Sequence, residues 1–173
     1  MSSTVSSWIR RCKSRTSLVA LLVAAFMVIG AEGVQGRHVD EVSQGDFYHV
    51  GDETPGNLMG SAKVTRFDDD RTTLQVHVHG LKPDATYSVH LHAGACADHG
   101  PHYRHDWNGP TRPPNELWAS SRPDDPTAGI TADDEGTASG WGAAPWRARP
   151  EARSVFIHSG GKGHAAIGCA DLS

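Results

Sequence analysis

Short segments in which apolar and polar residues alternate strictly are the feature that most constrains how this chain can fold. In "TTLQVHVHGL" the apolar residues Leu74, Val76 and Val78 fall on one face of an extended strand and the polar residues on the other. "SAKVTRF" before it and "TYSVHLH" after it repeat the alternation, with "DDDR" and "KPDA" as the intervening turns. Three half-buried strands in succession predict an antiparallel meander.

Further short strands follow in the C-terminal half of the chain. "GITADDEGTASGWGA" predicts a strand, an acidic glycine-containing turn and a second strand, "ARSVFIH" another strand, and "GCADL" a closing strand. The 19 glycines and 10 prolines suit a loop-rich β protein better than a helical bundle. We therefore expect an all-β fold, a Greek-key β-sandwich or flattened barrel of seven to eight antiparallel strands.

The 173 residues are enough for one domain, preceded here by a segment that has the features of an export signal. Four basic residues lie within positions 10–15, an uncharged apolar run extends from Leu18 to Ile29, and small residues follow. The run is too short for a comfortable membrane span, so we expect a signal peptide at 1–33 and no stable membrane anchor, with a retained anchor as the alternative. The protein is then secreted, to the periplasm or the extracellular space.

Two segments show no regular periodicity. Residues 34–56 are expected to be a linker or a loosely attached N-terminal segment, and the folded domain is expected to span 57–173. Residues 93–122 carry four prolines that prevent long regular elements. A loop of this length in a compact domain is commonly functional or disordered.

Cysteine usage supports the export prediction. Cys12 lies before the apolar run, so the mature chain retains only Cys96 and Cys169. Two cysteines in an exported protein suggest one disulfide, and the alternative is a pair of unpaired buried thiols.

Histidine is over-represented, with 11 copies, and four of them lie in "HAGACADHGPHYRHD" at 92–106. His90 and His92 are two residues apart on a strand, so both imidazoles project from one face and can reach one ion. His77 and His79 have the same spacing, but they run into a turn and are interpreted as solvent-facing strand residues. His99 and His105 are interpreted as solvated loop residues, with a makeshift zinc site as the alternative.

Several segments together resemble the copper/zinc superoxide dismutase family. "YSVHLHAGAC" is similar to the family's strand with two copper histidines and the loop cysteine, and "GPHY" to the segment with the next ligand. "GITADDEGTA", "RSVFIHSGG" and "IGCADL" resemble a hairpin, the strand with the last copper histidine, and the terminal strand with the second half-cystine. The segments occur in the family's order and cover residues 59–173.

The resemblance implies a copper site and an activity. It assigns copper to His90, His92, His102 and His158, and a disulfide to Cys96 and Cys169. Neutral imidazoles bind Cu(II) well and tolerate Cu(I), so such a site can cycle between the two states. The implied reaction converts superoxide, a small-molecule substrate, to oxygen and hydrogen peroxide.

The sequence departs from the family at the zinc site. Nothing matches the segment that supplies the zinc aspartate, so we expect a copper-only protein in which zinc is unlikely. His102, the metal-bridging histidine of two-metal enzymes, then needs another partner for its second ring nitrogen. Glu116 in "NELW" is the candidate because copper-only relatives have a carboxylate there, and Asp106 is the rival.

A second departure concerns substrate guidance. The loop before the last cysteine is short, and Ala166 occupies the position of the arginine that guides superoxide in the family. Because a focused positive field accelerates capture of a small anion, turnover is expected to be slower. Lys162 or His164 is a candidate substitute, and Lys162 is included with His102 and Glu116 among the expected catalytic residues.

Two other functions remain open at this point. A copper-buffering or copper-delivery protein of the same fold would bind the ion with little catalysis, and a metal-free sandwich would serve adhesion. The net charge of −4 and the scattered lysines and arginines argue against a nucleic-acid partner. The sequence contains no information on oligomeric state.

Overall fold

The computed structural model describes residues 37–51, 57–160 and 165–173, and Arg37–Ser173 forms one compact unit. The expected signal peptide lies outside the described residues. Nine strands are present: β1 (Val39–His49), β2 (Met59–Phe67), β3 (Thr72–His79), β4 (Thr86–Ala93), β5 (Trp118–Ala119), β6 (Ile130–Thr131), β7 (Ala138–Ala144), β8 (Ala152–Ser159) and β9 (Ala166–Asp171). The described part of the chain contains no α-helix and a single 3-10 turn at Cys96–Asp98.

The alternating segments form strands as expected. In β3 the residues Leu74, Val76 and Val78 are buried, whereas Gln75, His77 and His79 are exposed. The apolar faces of β2, β3, β4 and β8 enclose one core, which is closed at one end by Tyr103 and Trp146. The all-β prediction is therefore confirmed, and of the nine strands only β1 and the two-residue strand β5 have no counterpart in the prediction.

The strands pair antiparallel in the order β5-β4-β8-β9-β1-β2-β3-β7, with β6 beside β4. Consecutive strands β3 and β4 lie far apart in this order, and so do β7 and β8, as expected for crossovers between the two halves of a sandwich. Two backbone hydrogen bonds between Ser120 and Trp141 join the segment after β5 to β7, at the two ends of the order. The sheet therefore closes almost completely on itself.

The expectation of a linker at 34–56 is wrong for residues 39–49, which form β1. This strand pairs with β2 along most of its length and with β9 through Tyr48 and His49, so it connects the two halves of the sheet. Only Phe47 in it is fully buried, and an exposed strand shows no apolar periodicity in its sequence. Residues 34–36 and 52–56 lie outside the described residues.

Candidate metal centre

Strands β4 and β8 place three histidines on one side of the sheet, facing away from the main core. Tyr87, Val89 and Leu91 of β4 point into the core, so His90 and His92 project from the opposite face. On β8, Val155 and Ile157 point into the core and His158 projects outward with Phe156. His90 pairs with Phe156 and His158 with Ser88 in the register, so the three imidazoles share one patch.

The loop after β4 brings His102 to this patch. The loop returns antiparallel to the end of β4: the Ala93 N–H donates to the Pro101 carbonyl at 3.0 Å, and the Tyr103 N–H to the Leu91 carbonyl at 2.8 Å. Tyr103 is fully buried in the core and anchors this part of the loop. His102 is thereby held directly across from His92.

The four imidazoles converge. One nitrogen from each of His90, His92, His102 and His158 lies within 4.8 Å of the other three, and the Nε2 atoms of His92 and His158 are 3.4 Å apart. Nitrogens on opposite sides of an ion bound at about 2.0 Å are roughly 4 Å apart, so a shift of less than about 1 Å would close the group around an ion. Four imidazoles are a donor set that suits copper, and the residues fit that ion.

Hydrogen bonds from the second ring nitrogens orient two of these imidazoles. His92 Nδ1 donates to the Gly100 carbonyl at 2.8 Å, and His102 Nδ1 donates to Glu116 Oε2 at 2.9 Å. With Nδ1 as the donor, Nε2 carries the lone pair in each ring and can bind a metal ion. This arrangement is typical of protein metal sites, in which ligating histidines donate their other N–H to a carbonyl or carboxylate.

Glu116 is the carboxylate next to His102. It is only 1% exposed, and the same oxygen, Oε2, also accepts from the indole Nε1 of Trp118 at 2.7 Å. The rival carboxylate, Asp106, instead accepts from the backbone N–H of Asn108 at 2.9 Å within the loop. Of the two candidates from the sequence, the structure brings Glu116 to His102.

Burial also sets the protonation of His92. Its pKa is lowered to about 4, chiefly by loss of hydration and also by the neighbouring His102 and His158, against the opposing effect of the Gly100 carbonyl. His92 is therefore neutral at pH 7, the form in which an imidazole can coordinate a metal.

A cavity of about 330 Å³ lies beside the four imidazoles. The cavity is lined by His90, His102 and His158 together with Ser88, Thr111 and Trp118, and His92 is not part of this lining. This cavity leaves one side of the centre accessible to a small ligand. Among the described residues that line it there is no lysine or arginine.

A disulfide joins the ligand loop to the last strand. Cys96 and Cys169 are bonded, with their Cα atoms 5.9 Å apart, and the Cys96 N–H donates to Asp171 Oδ1 at 2.7 Å. Both cysteines pack against Phe156, whose ring is 4.5 Å from that of His92. The disulfide suggested by the sequence is confirmed, and it supports the loop just beneath the histidines.

The other residues considered in the sequence lie elsewhere. His99 contacts Phe156, and the ring of His105 stacks on Trp146, with centroids 5.2 Å apart. Neither belongs to the four-histidine group, the one cluster of this kind within the described ranges. Lys162 and His164 lie outside the described residues. Ala166 is partly buried at the start of β9 and pairs with His158.

Trp118 is a site residue that the sequence analysis missed. Its ring lies 4.8 Å from that of His90 and 6.5 Å from that of His102, and its N–H bonds to Glu116. Glu116 and Trp118 are two residues apart in an extended segment, so both side chains project to the same face. That spacing in "NELW" is the signal that would have identified the tryptophan.

Comparison with solved structures finds chains that are similar to this one. The structure of a point mutant of Candida albicans superoxide dismutase 5 is similar at 17% sequence identity and a TM-score of 0.48, covering 78% of this chain and 90% of that one. No protein-family model matches the chain, and no curated protein matches it. We draw no functional conclusion from a similarity of this degree. In addition, the described residues include no helix that is long and apolar enough to cross a membrane.

Proposed function

We propose that this protein is an exported, copper-dependent superoxide dismutase-like enzyme with a single catalytic metal. The observation that carries the proposal is the convergence of four imidazoles from β4, the following loop and β8 beside a solvent-accessible cavity. The motif resemblance across residues 59–173 supports the same assignment. His90, His92, His102 and His158 are the proposed ligands.

The donor set favours copper. Imidazole binds several transition metals, and among divalent ions of the first row copper binds most tightly to a given site. His92 is buried and neutral, so it can bind a metal without losing a proton. The Gly100 carbonyl and Glu116 orient the rings of His92 and His102. We propose that Glu116 takes the place of a second metal in orienting His102, so that zinc is not part of the site.

Each group of the site has a proposed role. Bound copper, alternating between Cu(II) and Cu(I), supplies the electron transfer that converts two superoxide anions and two protons to oxygen and hydrogen peroxide. His102 would offer Nε2 to the metal, while its Nδ1 keeps its proton and donates a hydrogen bond to Glu116 Oε2. The cavity beside Ser88 and Trp118 admits the small anion. Lys162, which lies outside the described residues, is proposed to supply positive charge in place of the arginine that Ala166 replaces.

Copper buffering or delivery without efficient catalysis is a second candidate function. One observation favours it: the cavity is lined, within the part of the chain that the structure describes, by no cationic side chain that would attract superoxide. Ala166, opposite His158, carries no charge in the position where the related enzymes have an arginine.

Export is part of the proposal. The predicted signal peptide at 1–33 and the Cys96–Cys169 disulfide both suit an oxidising compartment, periplasmic or extracellular. N-terminal sequencing of the protein recovered outside the cytoplasm tests this proposal. The expected start lies shortly after the small residues that follow Ile29, and a start at Met1 contradicts it.

The activity assay compares copper-loaded wild type, copper-loaded His158→Ala and free copper at the same concentration. The expected result is rapid superoxide removal by the wild type and a large loss in the variant. If wild type performs no better than free copper or the variant, the protein is a copper carrier.

The metal assignment is tested by folding the protein with copper and zinc together and stripping weakly held ions on a chelating column. We expect copper and no stoichiometric zinc to remain. One tightly held zinc per chain contradicts the copper-only proposal.

A further inference from the structure

A second pair of histidines lies on the outer surface of the sheet, in a strand that contributes nothing to the four-histidine group. His77 and His79 project from the exposed face of β3, opposite the buried Val76 and Val78. Their rings contact each other edge to face, with centroids 4.5 Å apart. The sequence analysis had no means of distinguishing this pair from ordinary solvent-facing residues, because its spacing alone is uninformative.

Each ring is held through the same nitrogen. His77 Nδ1 lies 2.8 Å from Ser139 Oγ, and His79 Nδ1 lies 2.9 Å from Thr137 Oγ1. Ser139 is the direct partner of His77 in the pairing of β3 with β7, and Thr137 immediately precedes β7. The sheet register therefore sets both contacts. When the hydroxyl oxygens accept, the lone pair lies on Nε2 of both rings, which is the tautomer that metal binding requires.

The spacing of the rings suits a shared ion. Two imidazoles in adjacent positions around an ion, each bound at about 2.0 Å, have centroids roughly 4 to 5 Å apart. The observed centroid separation of 4.5 Å is within this range. Two residues of a regular strand, each fixed by a hydroxyl from the next strand, lose little side-chain freedom on binding.

The surroundings leave room for an ion and its remaining ligands. A polar groove of about 630 Å³ lies beside His77 and is lined also by Asp46, Ser61, Lys63 and Gln75. Both histidines lie on the exposed face of β3, so their side chains are open to solvent. The pair thus has oriented donors and an open approach.

We propose that His77 and His79 form a second, surface metal site that binds one imidazole-preferring transition-metal ion, with Cu(II) as the tightest of the divalent ions. Two protein ligands make the site weaker and more readily exchanged than the four-histidine centre. Its existence is independent of the function proposed for that centre, since the two share no residue.

The test uses the full mature chain and Cu(II) alone as the probe. Isothermal titration is expected to show one more equivalent of Cu(II) in the wild type than in His77→Gln/His79→Gln. Nuclear magnetic resonance gives the location: paramagnetic Cu(II) should broaden the amide signals of Thr137 and Ser139 in the wild type and leave them sharp in the double variant. His38→Gln/His105→Gln removes two other exposed histidines and is the matched control, which should keep the second equivalent.

The hydroxyl contacts are tested separately. Thr137→Val/Ser139→Ala keeps both imidazoles and removes the groups that orient them, so the affinity for the second Cu(II) is expected to fall about tenfold. Equal stoichiometry in the wild type and His77→Gln/His79→Gln overturns the proposal. So does broadening of Thr137 and Ser139 that persists in that variant, or loss of the second equivalent in the His38→Gln/His105→Gln control.

Discussion

Single side chains of the four-histidine centre differ in what they contribute, and His92 shows this most directly. Burial lowers the pKa of His92, which keeps its imidazole neutral at pH 7. The same burial that prepares it for metal has a cost in the metal-free protein, because the unfolded chain takes up a proton that the folded chain cannot.

This cost predicts a pH dependence of stability in the metal-free protein. The pKa of His92 is about 4 when folded and near 6.5 when unfolded. Between these pH values the unfolded state binds one more proton than the folded state. The free energy of unfolding is therefore unaffected by His92 above pH 6.5 and falls by about 3 kcal/mol as the pH drops to 4. The free energy of unfolding, measured with urea at several pH values, should have a flatter slope against pH in His92→Gln than in the wild type. His38→Gln should keep the slope of the wild type. An unchanged slope in His92→Gln contradicts the prediction.

Glu116 acts through His102, and its removal should weaken the metal site without removing a ligand. Glu116→Ala is expected to lower copper affinity about 10- to 100-fold, since the ring loses the acceptor that fixes its tautomer and orientation. Competitive copper titration measures this loss. Asp106→Ala, the rival carboxylate, is the control and should bind copper like the wild type. Equal loss in the two variants would mean that Glu116 has no special role.

At the scale of strands, β1 connects the two halves of the sheet, and Gly45 allows β1 to approach β9 closely. A Cβ atom on Gly45 would lie 1.8 Å from the carbonyl oxygen of Asp171 at the end of β9. Next to this contact, Gln44 and Ser173 exchange two backbone hydrogen bonds of 3.1 Å. Asp171 in turn binds the backbone of Cys96, so β1 supports the loop that carries His102.

Gly45→Ala should therefore destabilise the fold. The clash is with backbone, which has to shift, and overpacking of this kind costs roughly 1–3 kcal/mol. Thermal or denaturant unfolding measures the change. Gln44→Ala, an exposed neighbour whose backbone pairing is unaffected, should change stability by less than about 0.5 kcal/mol. Equal stability of the two variants would show that β1 is not tightly held against β9.

The elements that could be predicted from sequence are those with one buried face. Apolar alternation identified β3 and β4, and the turn residues between them were correctly placed. The strand β1 could not be predicted, because nearly all its side chains are exposed and its pairing depends on distant segments. The contact of Trp118 with His90 was missed for a related reason, since it depends on how the long loop folds back onto β4.

For the whole molecule, the proposed function raises the question of how an acidic protein would attract an anion. The net charge is −4, and the described lining of the cavity has no cationic side chain. Ala166→Arg adds a positive charge opposite His158. The rate constant for superoxide removal should rise about tenfold at low ionic strength, and the increase should shrink as salt is added. Ala166→Gln, of similar length and uncharged, should show neither effect.

The most direct test of the account is pulsed electron paramagnetic resonance of the protein with one equivalent of Cu(II), in the His77→Gln/His79→Gln background so that only the four-histidine centre is sampled. We expect the Cu(II) electron spin to couple to nitrogen nuclei of four imidazoles in the protein with all four histidines, and of three imidazoles in His158→Ala. Coupling to two or fewer imidazoles, or a spectrum unchanged by His158→Ala, would contradict the convergence of these four side chains on one ion.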